Sequence, residues 1–156
     1  MFSLRNFSNS NYITLMRKKF KQISNKPSFM KHNGGLLLRE ISKRKFEFKT
    51  KVKKSHLNKA RITHGGYICT IIDAGSGTGA HISSGNKPCV TISLDVKFIG
   101  ATILGDEIRG FVEILKVTKS MVFLNCKLKS KNRIIATALG VWKILNRPLP
   151  NAGLGG

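Results

Sequence analysis

The stretch HGGYICTIIDAGSGTGAHIS, His64 to Ser83, decides the fold. Tyr67, Ile68, Ile71 and Ile72 recur at helical spacing, and no proline interrupts the run. The helix should end before Ser84-Gly85-Asn86 and Pro88. Gly65-Gly66 open it, and Gly75, Gly77 and Gly79 sit inside it. Each interior glycine costs roughly 1 kcal/mol against alanine, so the helix needs a reason for them. Its one acid, Asp73, has small residues a turn away on either side: Cys69, Thr70, Ser76 and Gly77. A carboxylate so ringed leaves room for a ligand or for another backbone. The glycine-started N-terminus offers free N–H groups and the positive end of the helix dipole, which can hold a developing oxyanion.

On either side of this helix the period changes to two. Phe46, Phe48 and Val52 lie two or four apart, with Lys45, Lys49, Lys51 and Lys53 between them, a strand with one wet, basic face. Val90, Ile92, Leu94, Val96 and Phe98 alternate with Thr91, Ser93, Asp95 and Lys97. Further strands are expected over 108–117, 121–129 and 134–145, with turns at 104–106, 118–120 and 130–132. Such short links predict that consecutive strands are antiparallel hairpin neighbours. The resulting α+β domain, residues 36–146, is an antiparallel sheet curled around one long central helix. Residues 147–156 read as a flexible tail.

A chain of 156 residues suits one domain with a real core. No apolar run reaches the ~18–20 residues of a membrane span. The 28 basic and 7 acidic residues give a net charge of +21, concentrated towards the N-terminus. Residues 1–39 hold no acid at all, only basic residues from Arg5 to Arg39. Residues 1–35 therefore read as a basic arm or a mitochondrial-type presequence, with a helix around Tyr12–Ile23 as the competing reading. Such a segment attracts polyanions without sequence preference, although a plain drift towards lysine explains the excess equally well. Cys69, Cys89 and Cys126 are odd in number and far apart, which fits reduced thiols in a core. That implies a cytoplasmic setting, or the mitochondrial matrix if a presequence is cleaved. His32, His56, His64 and His81 show no metal-ligand spacing, so no metal is expected.

Gly75-Ser76-Gly77-Thr78-Gly79-Ala80, with Asp95 further on, mimics a dinucleotide-binding fingerprint. The context rejects it, because that motif opens a helix after a strand and is followed by βαβ units, whereas hairpins follow here. A different pattern is more specific. His56-Leu57-Asn58, then His64-Gly65-Gly66, then Asp73, with Thr91 eighteen residues on, resembles the phenylacetate-degradation (PaaI-like) hotdog acyl-CoA thioesterases. The match extends from about Leu37 to Leu145 and includes Phe98 and Gly105-Asp106-Glu107-Ile108. Ala101 departs from it, standing where a proline is common.

The resemblance implies a hotdog fold, thioester hydrolysis in fatty acid metabolism, and no metal or redox cofactor, coenzyme A being part of the substrate. It implies that Asp73 acts as general base or nucleophile and that Thr91 orients water. Asn58 and the Gly65 N–H would polarise the carbonyl beside His64. Gly66, Phe98, Lys116, Lys119 and Ser120 would meet substrate or CoA. Gly65 and Asp73 lie eight residues apart, about 12 Å along one helix. One copy cannot easily bring both to one carbonyl, so a homodimer or homotetramer with the site between subunits is expected. Packing of the two helices through Gly75, Gly77 and Gly79 would allow it. The competing functions are a non-catalytic acyl-CoA-binding hotdog protein and a basic RNA- or membrane-associated protein.

Overall fold

The computed structural model describes residues 18–147. Seven strands form one antiparallel sheet: β1 (Lys21–Ile23), β2 (Leu36–Ser42), β3 (Lys45–Lys51), β4 (Cys89–Phe98), β5 (Glu107–Val117), β6 (Met121–Ser130) and β7 (Arg133–Ile144). Their order across the sheet is β1-β2-β3-β5-β6-β7-β4. A short helix, α1 (Phe29–His32), precedes β2. The long helix, α2 (Gly65–Ser83), spans 19 residues, about 28 Å, and the sheet curls around it in the hotdog arrangement. No helix among the described residues is long and apolar enough to cross a membrane.

The helix and five strands fall where periodicity placed them, and two expectations need correction. The folded body does not begin at residue 36. β1 pairs with β2 through Ile23 opposite Leu36, and Phe20 lies beneath the Arg39 guanidinium at 4.6 Å and the Lys49 ammonium at 4.8 Å. Residues 18–23 are thus docked on the sheet, while residues 1–17 and 148–156 lie outside the described residues. The hairpin rule also fails once. β5–β6 and β6–β7 are neighbours, but β4 crosses to the far edge and pairs with β7, leaving β5 beside β3.

The core explains the glycines. Ile71 and Ile72 of α2 pack with Phe46, Phe48, Leu124, Leu128 and Trp142, all essentially inaccessible. A Cβ on Gly75 would sit 2.3 Å from the Phe48 ring, and one on Gly79 would sit 3.0 Å from Phe46. These glycines admit the chain's own aromatic side chains, so they are not the seam for a second helix that the spacing suggested. Gly77 faces the edge of Trp142, 3.2 Å from a Cβ position.

Candidate active site

The curled sheet leaves one side of α2 open, and Asp73 stands on it, exposed, beside half-buried Thr70, Gly77 and Thr78. The Thr70 and Thr78 hydroxyls donate to the carbonyls of Gly66 and Ala74 one turn back, at 2.9 and 2.8 Å. Asp73, by contrast, is bonded from outside its helix. Thr91 Oγ1 donates to Asp73 Oδ1 at 2.6 Å.

That contact depends on a bulge. Strict alternation puts Thr91 on the opposite side of β4 from Leu94 and Val96. In the structure the β4–β7 register slips between Thr91 and Ser93, so Thr91 lies opposite buried Trp142 and Leu94 opposite Gly140. Directly paired residues share a sheet face. The extra residue, Ile92, is pushed out to solvent and is 54% exposed, and Thr91 turns to the helix side, onto Asp73.

A groove of about 600 Å³ runs along this pair. Asp73, Gly77 and His81 form one wall, and Cys89, Thr91 and Trp142 another. Ile23 and Ser24 line it from the opposite sheet edge. The sequence could have flagged His81, which lies two helical turns beyond Asp73 on the same stripe. Ile23 and Ser24 carry no local signal, because only the curl of the sheet brings β1 to β4. A separate groove of about 640 Å³ on the sheet's outer face, around Phe111, Lys129 and Leu139, holds none of the residues expected to carry catalysis or to meet CoA.

The other half of the anticipated site gathers at the N-terminus of α2. His64 caps the helix, its Nδ1 accepting from the Gly66 N–H at 2.8 Å. Gly66 is thus engaged by its own chain, and no partner for the Gly65 N–H occurs among the described residues. Phe98, 58% exposed, covers Gly65, its ring 3.4 Å from a Cβ position there. Asn58 sits in the turn just before. Its Oδ1 accepts from Ile62 N at 3.3 Å, which leaves the amide N–H groups as its outward donors. This turn is held by buried His56, stacked on Tyr67 with ring centroids 3.7 Å apart. His56 Nδ1 accepts from the Lys53 N–H, so its Nε2 carries the proton and donates to the Asn33 carbonyl. Burial holds the His56 pKa below its ordinary value, with the nearby Lys53 charge adding to the effect. His56 is therefore a neutral structural prop.

Within one chain, then, Asp73 and Thr91 meet, Phe98 covers Gly65 beside the His64 cap, Asn58 sits in the preceding turn, and about 12 Å of helix separates Gly65 from Asp73. Lys116, Lys119 and Ser120 occupy the β5–β6 hairpin. Both lysines are exposed and form no ion pair among the described residues. The Ser120 carbonyl accepts from Ile144, the β7 residue opposite Cys89, so the hairpin sits one strand away from the groove.

Comparison with known proteins points to thioesterases. Residues 61–136, which include the start of α2, Asp73 and Thr91, match the family model of the thioesterase superfamily. Mouse acyl-coenzyme A thioesterase 13 is 25% identical over 116 residues, 74% of this chain and 83% of that protein. The crystal structure of zebrafish thioesterase superfamily member 2 superposes with a TM-score of 0.71 at 21% identity, covering 78% of this chain and 90% of that one. The PaaI protein of the E. coli phenylacetic acid degradation operon gives 0.65 at 12%, covering 71% and 80%. With this fold and this match, the chain is a hotdog-fold thioester hydrolase, similar over residues 61–136 to the thioesterase superfamily.

Proposed function

We propose that the chain hydrolyses acyl-CoA to a free acid and coenzyme A in a site completed by a second copy of itself. The observation that carries this reading is the Asp73–Thr91 pair, held on an open helix face while the carbonyl-polarising groups lie at the helix's other end. Two α2 helices running antiparallel across the open faces would bring Asp73 of one copy to Gly65 and Asn58 of the other. The kinship with a protein named acyl-coenzyme A thioesterase supports the substrate class.

In this scheme Thr91 holds one carboxylate oxygen, and the other is available to take a proton from water. The oxygen of that water attacks the thioester carbonyl. The Gly65 N–H and the Asn58 amide stabilise the oxyanion, a role commonly worth about 10²–10³-fold per donor. The C–S bond then breaks, and the thiolate takes back the proton from Asp73. The exposed Lys116 and Lys119 suit the phosphates of CoA, whose charge needs neutralising at the groove mouth. Asp73→Asn keeps the shape and removes the base, so turnover on acyl-CoA, followed by thiol release, should fall by ~10²–10⁴-fold. A folded Asp73→Asn protein with near-normal turnover overturns the scheme.

A further inference from the structure

The open groove beside Asp73 is bordered by residues that belong to neither half of the proposed mechanism. Ile23 and Ser24 reach it from β1, the edge strand farthest from β4 in sheet order. Ile23 is half-buried and packs against the core, so its position is fixed. Ser24 adopts a φ of +66°, a left-handed conformation uncommon outside glycine, which turns the chain away just past the groove. β1 is anchored from outside the groove. Phe20 is covered by Arg39 and Lys49, and Lys18 pairs with Glu40 at 2.5 Å.

The groove's lining decides which part of a thioester it suits. It contains no lysine or arginine, and an apolar patch of Ile23, Ala74, Cys89, Val90 and Trp142 adjoins the polar Asp73, Thr78, His81 and Thr91. A lining without lysine or arginine gives little purchase to the phosphates of a CoA-like carrier, whereas the apolar patch from Ile23 to Trp142, beside Asp73 and Thr91, suits a hydrocarbon.

We propose that Ile23 and Ser24 form the wall that selects the acyl group, and that the Phe20 clamp holds this wall in place. The proposal rests on the thioester-hydrolase reading and deepens it. Ile23 fixes how long or wide an acyl chain fits between β1 and α2. A difference of one methylene in an apolar pocket shifts kcat/KM by about 10-fold or more. Loosening the clamp should blur the same choice without touching Asp73.

The test measures kcat and KM for acyl-CoAs of increasing chain length on the full chain and on Ile23→Ala, Ile23→Trp and Phe20→Ala. Ile23→Ala should raise the long-to-short ratio of kcat/KM by about 10-fold, mainly through KM, and Ile23→Trp should lower it. Phe20→Ala should shift it as Ile23→Ala does, by less. Phe29→Ala, on exposed α1 away from the groove, should leave the profile unchanged. If Ile23→Ala fails to fold, Ile23→Val carries the same test. A parallel series keeps one acyl group and varies the thiol carrier from CoA to pantetheine. Ratios that follow the carrier, or that stay flat in every folded Ile23 variant, overturn the proposal alone. A wild type inert on the whole panel overturns the activity reading and this proposal with it.

Discussion

Replacing Gly75 by alanine should destabilise the protein, although helix propensity alone favours alanine by about 1 kcal/mol. The added methyl would lie 2.3 Å from two carbons of the Phe48 ring. Apolar carbons rest at about 3.5–4.0 Å, so the overlap exceeds an ångström. Phe48 cannot retreat, because it is fully buried and a Cβ on Gly110, across the ring, would lie only 2.1 Å away. The ring is clamped between two glycine backbones. Overpacking of a rigid core costs about 1–3 kcal/mol, and a ring with no escape belongs at the upper end. Less the propensity gain, a net loss of about 2 kcal/mol remains. For a chain of this size that lowers Tm by about 6–8 °C. Differential scanning calorimetry at fixed protein concentration measures it. Phe48→Leu in the Gly75→Ala background should recover part of the loss, giving a double-mutant cycle that is far from additive. A Gly75→Ala protein as stable as wild type would refute the packing argument and return the helix glycines to a role between subunits.

Two further outcomes follow from the buried groups. His56 has a folded pKa below its unfolded value, so its contribution to stability is present above the ordinary histidine range and is lost as pH falls through it. Urea midpoints should therefore drop between about pH 7 and pH 5, and His56→Gln should flatten that drop. Burial pushes the Cys126 thiol up to about 12, so it should resist thiol reagents at neutral pH until the protein unfolds. Rapid labelling of Cys126 in the native protein, located by peptide mass spectrometry, would contradict its placement in the core.

Much of the fold was legible because the informative residues are local. The spacing of Tyr67, Ile68, Ile71 and Ile72 marks α2, and alternation marks five strands. β2 was missed because Leu36, Leu37 and Leu38 run together without alternation, and β1 because Lys21–Ile23 is three residues long in a basic setting. The position of β4 was illegible for a different reason. An eight-residue link allows either a hairpin or a crossing to the far edge, and only the packing of α2 chooses. At the site, Asp73 and Thr91 stand out from the motif, but strict alternation groups Thr91 with Asp95 and Lys97 rather than with the residues that face the helix. The bulge that corrects it leaves no mark in Thr91-Ile92-Ser93. Ile23 and Ser24 were out of reach, because nothing near them in sequence refers to a groove built some fifty residues later.

The central claim is that one reaction site takes Asp73 and Thr91 from one copy and Asn58 and Gly65 from another. Subunit mixing tests it most directly. Asn58→Ala and Asp73→Asn, each nearly inactive alone, are combined in equal amounts, exchanged through mild denaturant and assayed for thiol release from acyl-CoA. Statistical exchange makes about half the dimers mixed, each with one intact site and one doubly altered, so about a quarter of wild-type activity should return. Activity that stays at the level of the separate variants, in samples where native mass spectrometry shows mixed dimers, would contradict the shared site.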